Sequence, residues 1–236
     1  MDFNCHIAMT AIEFLRAKAY PPHFAWMACH FSQRNAGLCD LPDMLPDKAV
    51  LILDDSTPLD GHDPELVSAQ LCYFIKRLQA ETVILDFQTP DQAETLQMTD
   101  HLINKLPCEV CVAAPYAQQF SCPVLLPAPA HHVHLAEHLS RWSGREIWLE
   151  ATLDTEKIIV TEQGSSILPL PYQEPQAHWF TEKNLHCRYQ IRESENAVEF
   201  ILTRDKEMLE ALLKEGQQQG VHHFLGLYQQ LGFSFP

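Results

Sequence analysis

The residues most able to do chemistry are carboxylates that follow short apolar runs of the chain. The four are Asp54, Asp55, Asp86 and Glu150. Carboxylates that share a cleft act as general acids and bases, or they hold a divalent cation. We therefore expect an active site or a binding site wherever the fold brings the ends of these runs together.

Carboxylates that follow strands also have an ordinary structural role, because an aspartate there often caps the next helix or ties a loop. Three aspartates at predicted helix starts fit that role: Asp63, Asp91 and Asp205. For Asp54 and Asp55 the two interpretations are equally open. Asp86 lies inside an apolar run, where a buried carboxylate needs a partner, and this favours a place in a site.

The apolar runs that carry these residues predict strands that are covered on both faces. Most of the runs are apolar at consecutive positions, which is typical of a parallel sheet. Eight runs share this character: 23–31, 49–56, 82–88, 108–115, 123–129, 146–152, 197–203 and 221–229. Helical patterns bounded by Pro, Asp or Gly separate several of them: 64–80, 91–106, 131–143 and 205–219.

Strands that alternate with helices predict an α/β fold. The chain has neither a GxGxxG nor a P-loop motif, which favours a barrel over a dinucleotide-binding sheet. We expect one abbreviated TIM-like (β/α) barrel over residues 1–236, with an N-terminal helical extension over 1–22 that includes a helix at 8–19. Two extra β-hairpins should turn at Gln163–Ser165 and at Ser194–Asn196. The C-terminal ends of barrel strands meet at one mouth, where the candidate carboxylates would lie.

The composition excludes several classes of function. The chain has 16 Lys and Arg against 31 Asp and Glu, which gives a net charge of −15. Such a charge disfavours binding to nucleic acid and to anionic membrane surfaces. No apolar run approaches the roughly 18 residues of a membrane span, and the N-terminus lacks the features of a signal peptide. We expect a cytoplasmic protein without a nucleic-acid or membrane partner, of undetermined oligomeric state.

Two further patterns have the spacing of metal ligands, and each has a structural alternative. His131, His134 and His138 share one face of a predicted helix, but no acidic ligand matches their spacing. Cys108 and Cys111 have CxxC spacing, but residues i and i+3 of a strand face opposite sides of the sheet. We interpret both patterns as structural and expect no metal and no other cofactor.

The runs VILDFQ (83–88) and VHHFLGLYQQLG (221–232) resemble parts of the chitinase-type, family eighteen glycoside hydrolase barrel. That family carries the pattern D-x-x-D-x-D-x-E at a strand end and an aromatic residue after its last strand. The resemblance places Asp86 on the last Asp, Gln88 on the catalytic Glu, and Tyr228 on the aromatic that floors the sugar site. An amide cannot protonate a leaving group, so the resemblance implies a barrel without its acid.

The whole chain also resembles a family of uncharacterised cytosolic proteins from Clostridia-type bacteria. The segments LILDDSTPLDGHDPE, GREIWLEA and GLYQQLG carry this resemblance. It implies a source and a fold, and it implies no activity.

These observations predict an acidic mouth that binds a small polyhydroxy or sugar-like ligand. Carboxylates and amides bond to hydroxyl groups, and an aromatic ring stacks on the face of a sugar. The predicted binding residues are Asp54, Asp55, Gln88, Tyr228 and Gln230.

The sequence leaves open whether the protein is an enzyme. If it is, Asp86 or Glu150 would act as general acid or base in a hydrolysis. One alternative is a non-catalytic binding or regulatory module, which Gln88 favours. Another is a metal-dependent hydrolase that uses four mouth residues: Asp54, Asp55, His62 and Asp86.

Overall fold

Parallel strands dominate the computed structural model, which describes residues 4–46, 48–89, 92–194 and 196–232. The chain falls into two compact units. The first, here the barrel unit, comprises Met1–Pro127, Gly144–Glu150 and His223–Pro236. The second, here the insert unit, comprises Ala128–Ser143 and Ala151–His222.

The main sheet closes on itself, because β1 pairs in parallel with both β2 and β14. Its strands are β1 (Cys5–Met9), β2 (Phe24–Phe31), β3 (Leu38–Cys39), β4 (Val50–Asp54), β5 (Thr82–Asp86), β6 (Glu109–Ala113), β7 (Val124–Leu126), β8 (Ile147–Ala151) and β14 (His223–Leu227). All of them except β3, which pairs antiparallel with β2, form a closed eight-stranded parallel barrel. The predicted α/β TIM-like barrel is confirmed.

In the described part of the chain, the helices are short and few for a barrel. They are α1 (Ala11–Arg16), α2 (Pro64–Leu78), α3 (Ala93–Lys105), α4 (Ala114–Ala117), α5 (Leu135–Ser140), α6 (Lys206–Gln218) and α7 (Tyr228–Leu231). Asp63 caps α2 by accepting a bond from the Glu65 backbone N–H, and Pro64 occupies the first turn, as predicted. Asp205 caps α6 in the same way, whereas Asp91 lies outside the described residues.

The insert unit contains a five-stranded antiparallel sheet in the order β10-β9-β13-β12-β11. Its strands are β9 (Asp154–Thr161), β10 (Gly164–Leu170), β11 (Phe180–Glu182), β12 (Cys187–Ser194) and β13 (Ala197–Arg204). The β9–β10 and β12–β13 pairs are the two hairpins that the sequence predicts, although the first turns at Glu162–Gln163 and not at Gln163–Ser165, because Gly164 and Ser165 already pair with β9.

Three elements differ from the sequence prediction. The strand β1 replaces the first part of the helix expected at 8–19, and only α1 remains of that helix. The run 197–203, which the sequence places both among the eight apolar runs and in a hairpin, forms only the hairpin, so β1 is the eighth barrel strand. The helix expected at 131–143 is limited to α5. Local apolar patterns cannot tell a barrel strand from other strands, because pairing partners lie far away in sequence.

The structure places no bilayer-crossing helix in the described part of the chain, since none there has the required length and apolar character.

Candidate functional site

Strand alternation decides which carboxylates face the interior of the barrel. Successive side chains of a strand point to opposite faces, so residues two apart share a face. Nine buried residues form the interior cluster: Ala8, Ala25, Val50, Ile52, Ile84, Cys111, Leu125, Trp148 and Leu225. Asp54 follows Ile52 by two positions, Asp86 follows Ile84, and Glu150 follows Trp148. All three carboxylates therefore stand at the C-terminal end of the barrel interior, on the side where barrel proteins carry their sites.

Asp54 and Asp86 are direct neighbours across two adjacent strands. The parallel register of β4 and β5 pairs Asp54 with Asp86. On the other side, His30 of β2 is in register with Asp54, and its Nδ1 lies 2.9 Å from Asp54 Oδ2. Asp54 Oδ1 also accepts a bond of 2.9 Å from the Ser56 backbone N–H, which fixes the turn after β4.

Asp55 ties two loops together instead of facing the barrel interior. Its carboxylate accepts hydrogen bonds from the backbone N–H groups of Gln88 (3.1 Å) and Thr89 (2.8 Å). Partial burial acts to raise the pKa of Asp55, but the bonds from Thr89 and Gln88 outweigh it and hold the pKa below its ordinary value. The ionised Asp55 carboxylate therefore holds the loop after β5 in position through these two hydrogen bonds.

Gln88 stands at the centre of the polar groups in this loop. Its side-chain Nε2 donates to Asp86 Oδ1, while Asp55 holds its backbone. Burial raises the pKa of Asp86, and the charges of Asp54 and Asp55 raise it further, against the lowering effect of the Gln88 bond. The Gln88 amide thus donates a hydrogen bond to a carboxylate that is costly to ionise.

A cavity of about 630 Å³ opens at this end of the barrel. Its polar groups are Gln88, Gln118 and Glu150, and small or apolar residues form the rest of the wall: Ala113, Ala114, Pro115, Leu125 and Pro127. Two amides and one carboxylate around a small apolar floor suit a neutral ligand that carries hydroxyl or amide groups.

The structure brings some of the predicted site residues together. Asp55, Asp86 and Gln88 form one hydrogen-bonded group, Asp54 is in register with Asp86, and Glu150 shares the cavity with Gln88. Tyr228 and Gln230 lie in α7, directly after β14, and their part in the site stays a prediction.

Sequence reasoning missed His30 and Gln118. His30 lies near the end of a predicted strand, but only the register with Asp54 gives it a partner. Gln118 follows the short helix α4, and no sequence pattern marks it.

The structure does not place the three histidines of the predicted pattern on one helix face. His131 and His134 precede α5 instead of lying on it with His138. The His131 ring is fully buried, with its two nitrogens 3.5 Å from Asp154 Oδ1 and from Glu156 Oε1. Within the ranges that the structure describes, no three His, Cys, Asp or Glu side chains converge as ligands would. All eight cysteines are free.

His62, which the metal-dependent alternative requires, is engaged elsewhere. Its Nδ1 lies 2.9 Å from the Leu59 carbonyl oxygen and its Nε2 lies 3.0 Å from the Ser32 carbonyl oxygen. Both ring nitrogens of His62 thus face backbone carbonyl oxygens.

A second polar cluster closes the opposite end of the barrel interior. The His6 ring lies 4.9 Å from the Trp148 ring and 5.4 Å from that of His23, and Trp148 stacks on His223 at 4.5 Å. His223 Nε2 pairs with Glu146 at 3.2 Å. Burial, together with the neighbouring His23 and His223, lowers the pKa of His6 to about 3. Packed aromatic and imidazole rings therefore close this end of the barrel interior.

No protein-family model matches the sequence, and no curated protein matches it either. Solved structures do match. The spore cortex-lytic enzyme SleL from Bacillus cereus has a TM-score of 0.57 at 8% identity, over 100% of this chain and 72% of that chain. The class V chitinase from Nicotiana tobaccum has a TM-score of 0.59 at 8% identity, over 94% of this chain and 92% of that one.

A third similar structure holds a ligand. It is a GH18 chitinase from Cycas revoluta, in a mutant form that includes a glutamate-to-glutamine change, in complex with (GlcNAc)4. Its TM-score is 0.55 at 10% identity, and the match covers 94% of each chain. At such identities the likeness shows the fold alone. The chain thus has the chitinase-like, glycoside-hydrolase-like barrel that its strand-end motif resembles.

Proposed function

We propose that this protein binds a saccharide at the mouth of its barrel and does not hydrolyse it. One observation carries the proposal: Gln88, which the resemblance places on the catalytic glutamate, is fixed by Asp55 and Asp86 and lines the cavity. A side-chain amide donates and accepts hydrogen bonds to a sugar but has no proton to give a leaving group.

The chemistry of the cavity supports a neutral sugar that carries amide or hydroxyl groups. Gln88 and Gln118 offer both donors and acceptors, and Glu150 offers acceptors. The Cycas revoluta enzyme, whose mutant form holds (GlcNAc)4, supports an N-acetylglucosamine oligomer as the first ligand to test. We place Asp54, Tyr228 and Gln230 at the margins of the same mouth.

Isothermal titration of the full chain with (GlcNAc)4 tests this proposal. We expect saturable binding with no release of shorter sugars. Gln88→Ala should weaken binding by about tenfold, since it removes one or two hydrogen bonds from the cavity wall. The matched control is Gln119→Ala, because Gln119 is exposed and adjacent to the cavity residue Gln118 without lining the cavity. Equal affinity of Gln88→Ala and wild type would contradict the proposal, as would a lack of binding to any saccharide.

The alternative function is hydrolysis with Glu150 as the general acid. It is favoured by the position of Glu150, which lines the same cavity as Gln88. Product release by the wild type that Glu150→Gln abolishes would replace the binding proposal with this one. Asp86 would then be the second carboxylate of the reaction.

We also propose three properties that the sequence predicts. They are a cytoplasmic location, an origin in Clostridia-type bacteria, and a single domain over residues 1–236. The acidic balance of the chain supports the absence of nucleic-acid and membrane partners.

A further inference from the structure

The β10 strand is one of the two edge strands of the antiparallel sheet in the insert unit, and β11 is the other. Within the described ranges, its one partner strand is β9. Residues Gly164–Pro169 are all exposed, so the outer side of this edge is open to solvent. An open, exposed edge strand presents unpaired backbone groups to any other strand of suitable geometry.

The hairpin register shows which backbone groups are unpaired. Thr161 and Gly164 flank a two-residue turn and are in register, so they form a hydrogen-bonded pair. Because bonded and unbonded pairs alternate along an antiparallel ladder, Ser165, Ile167 and Pro169 turn their backbone groups away from β9. The free edge thus offers N–H groups at Ser165 and Ile167, and carbonyl groups at all three positions.

The edge carries no charged side chain, although the chain as a whole carries −15. The sequence of β10 is GSSILPL. Two copies of so acidic a chain repel one another, so they can approach closely only where carboxylates are absent. The β10 edge meets that requirement.

An apolar row leads from this edge across one face of the sheet. Ile167 is in register with Ile158, Ile158 with Phe200, and Phe200 with Ile191. Ile167 and Ile191 are 46% and 44% exposed. A strand added at the β10 edge would extend this row, and a second copy would supply an identical row.

We propose that the β10 edge is a self-association surface, at which two copies of this chain pair antiparallel about Ile167. In that register the two Ile167 residues exchange two hydrogen bonds, and each Ser165 N–H donates to the Pro169 carbonyl of the other copy. Pro169, which lacks an N–H, faces Ser165, so the lost donor costs one bond at each end. The contact is isologous and closes at a dimer.

Light scattering coupled to size exclusion, over a concentration series of the full chain, measures the association. We expect a monomer–dimer equilibrium. Ile167→Pro should raise the dissociation constant at least about tenfold, since it removes the two central hydrogen bonds and spares those to β9. The matched control is Ile167→Ala, which keeps the backbone N–H and therefore reports only the loss of the isoleucine side chain. Pro169→Val restores a donor at each end and should lower the dissociation constant by about tenfold.

Hydrogen exchange assigns the contact to the edge independently of any variant. The Ser165 and Ile167 amides should exchange slowly in concentrated protein and quickly in dilute protein, while the Ser166 amide, bonded to β9, stays slow in both. A monomer at every concentration would overturn the proposal. So would a dimer in which the Ser165 and Ile167 amides exchange as fast as in the monomer.

Discussion

At the scale of single residues, the characteristic feature of the barrel mouth is the Gln88 amide, which lies among carboxylates. Gln88 donates to Asp86, and Asp86 is kept from easy ionisation by burial and by its acidic neighbours. A glutamate at this position would place a second carboxyl group against Asp86, and the repulsion between the two would raise the pKa of one of them further. That is the condition a general acid needs.

Gln88→Glu should therefore create measurable hydrolysis of (GlcNAc)4 where the wild type shows none. A positioned general acid contributes roughly 10²–10⁴-fold to such a rate. Gln118→Glu, which adds a carboxyl group to the same cavity without Asp86 beside it, is the matched control. Chromatography of the sugar products measures the outcome, and an inactive Gln88→Glu that still binds the sugar would contradict this role of the position.

His6 makes the stability of the barrel sensitive to acid. Its pKa is about 3 in the folded protein, against 6.5 as the ordinary value, because its ring is buried beside two other histidines. As the pH falls, His6 takes up its proton in the unfolded chain before it does so in the folded protein. The free energy of unfolding is therefore unaffected by His6 above about pH 6.5 and decreases as the pH falls toward 3.

We expect the wild type to lose about 2 to 3 kcal/mol of unfolding free energy through His6 between about pH 7 and about pH 4.5. His6→Phe keeps a ring against Trp148 and removes the titration, so its loss over this range should be smaller by that amount. Urea unfolding at the two pH values measures the difference. Parallel pH profiles of the two proteins would show that His6 is not the titrating group.

At the scale of elements, the strand ends are held by loops that bind one another. Asp55, after β4, holds the backbone of Gln88 and Thr89, after β5. The sequence predicts both strands, but the bond between their loops depends on the register that places Asp54 beside Asp86.

Asp55→Ala should release the loop after β5 and weaken saccharide binding to the level of Gln88→Ala. It should also cost about 1–3 kcal/mol of stability, because two backbone N–H groups lose their acceptor. Since the pKa of Asp55 lies below its ordinary value of 3.8, this stabilisation is present at neutral pH and is lost as the pH falls below that value. Thermal unfolding measures the loss of stability, and isothermal titration measures the loss of affinity. The control is Asp60→Ala, because Asp60 is exposed. Unchanged saccharide binding by Asp55→Ala would show that Asp55 does not support the binding site.

At the scale of the whole molecule, the chain passes between its two units four times. The insert unit lies in sequence between barrel elements, and β14 follows it before the barrel can close. If the insert unit unfolded, a long unstructured loop would connect β14 to the rest of the barrel. Closing that loop costs conformational entropy, so the pairing of β14 with β1 would be weakened.

We therefore expect one cooperative unfolding transition, as the sequence prediction of a single domain requires. Calorimetry should give one peak, and fluorescence and far-ultraviolet circular dichroism should share its midpoint. Two separated transitions, or fluorescence and dichroism midpoints that differ, would show two domains.

The sequence by itself determined most of the strands, the longer helices, the barrel class and the motif that carries Asp86 and Gln88. These features are local: consecutive apolar residues, Pro and Asp at helix starts, and spacings of a few residues. The tertiary structure decided the identity of the eighth strand, because β1 is recognisable only through its pairing with β2 and β14.

The tertiary structure also decided which carboxylates meet. Asp54 and Asp55 are adjacent and alike in sequence, yet the alternation of the strand sends one into the barrel and leaves the other to bind a loop. Glu150 reaches the cavity of Gln88 because only β6 and β7 lie between β5 and β8 in the sheet. Contacts between residues distant in sequence depend on register and closure, and no local pattern encodes either.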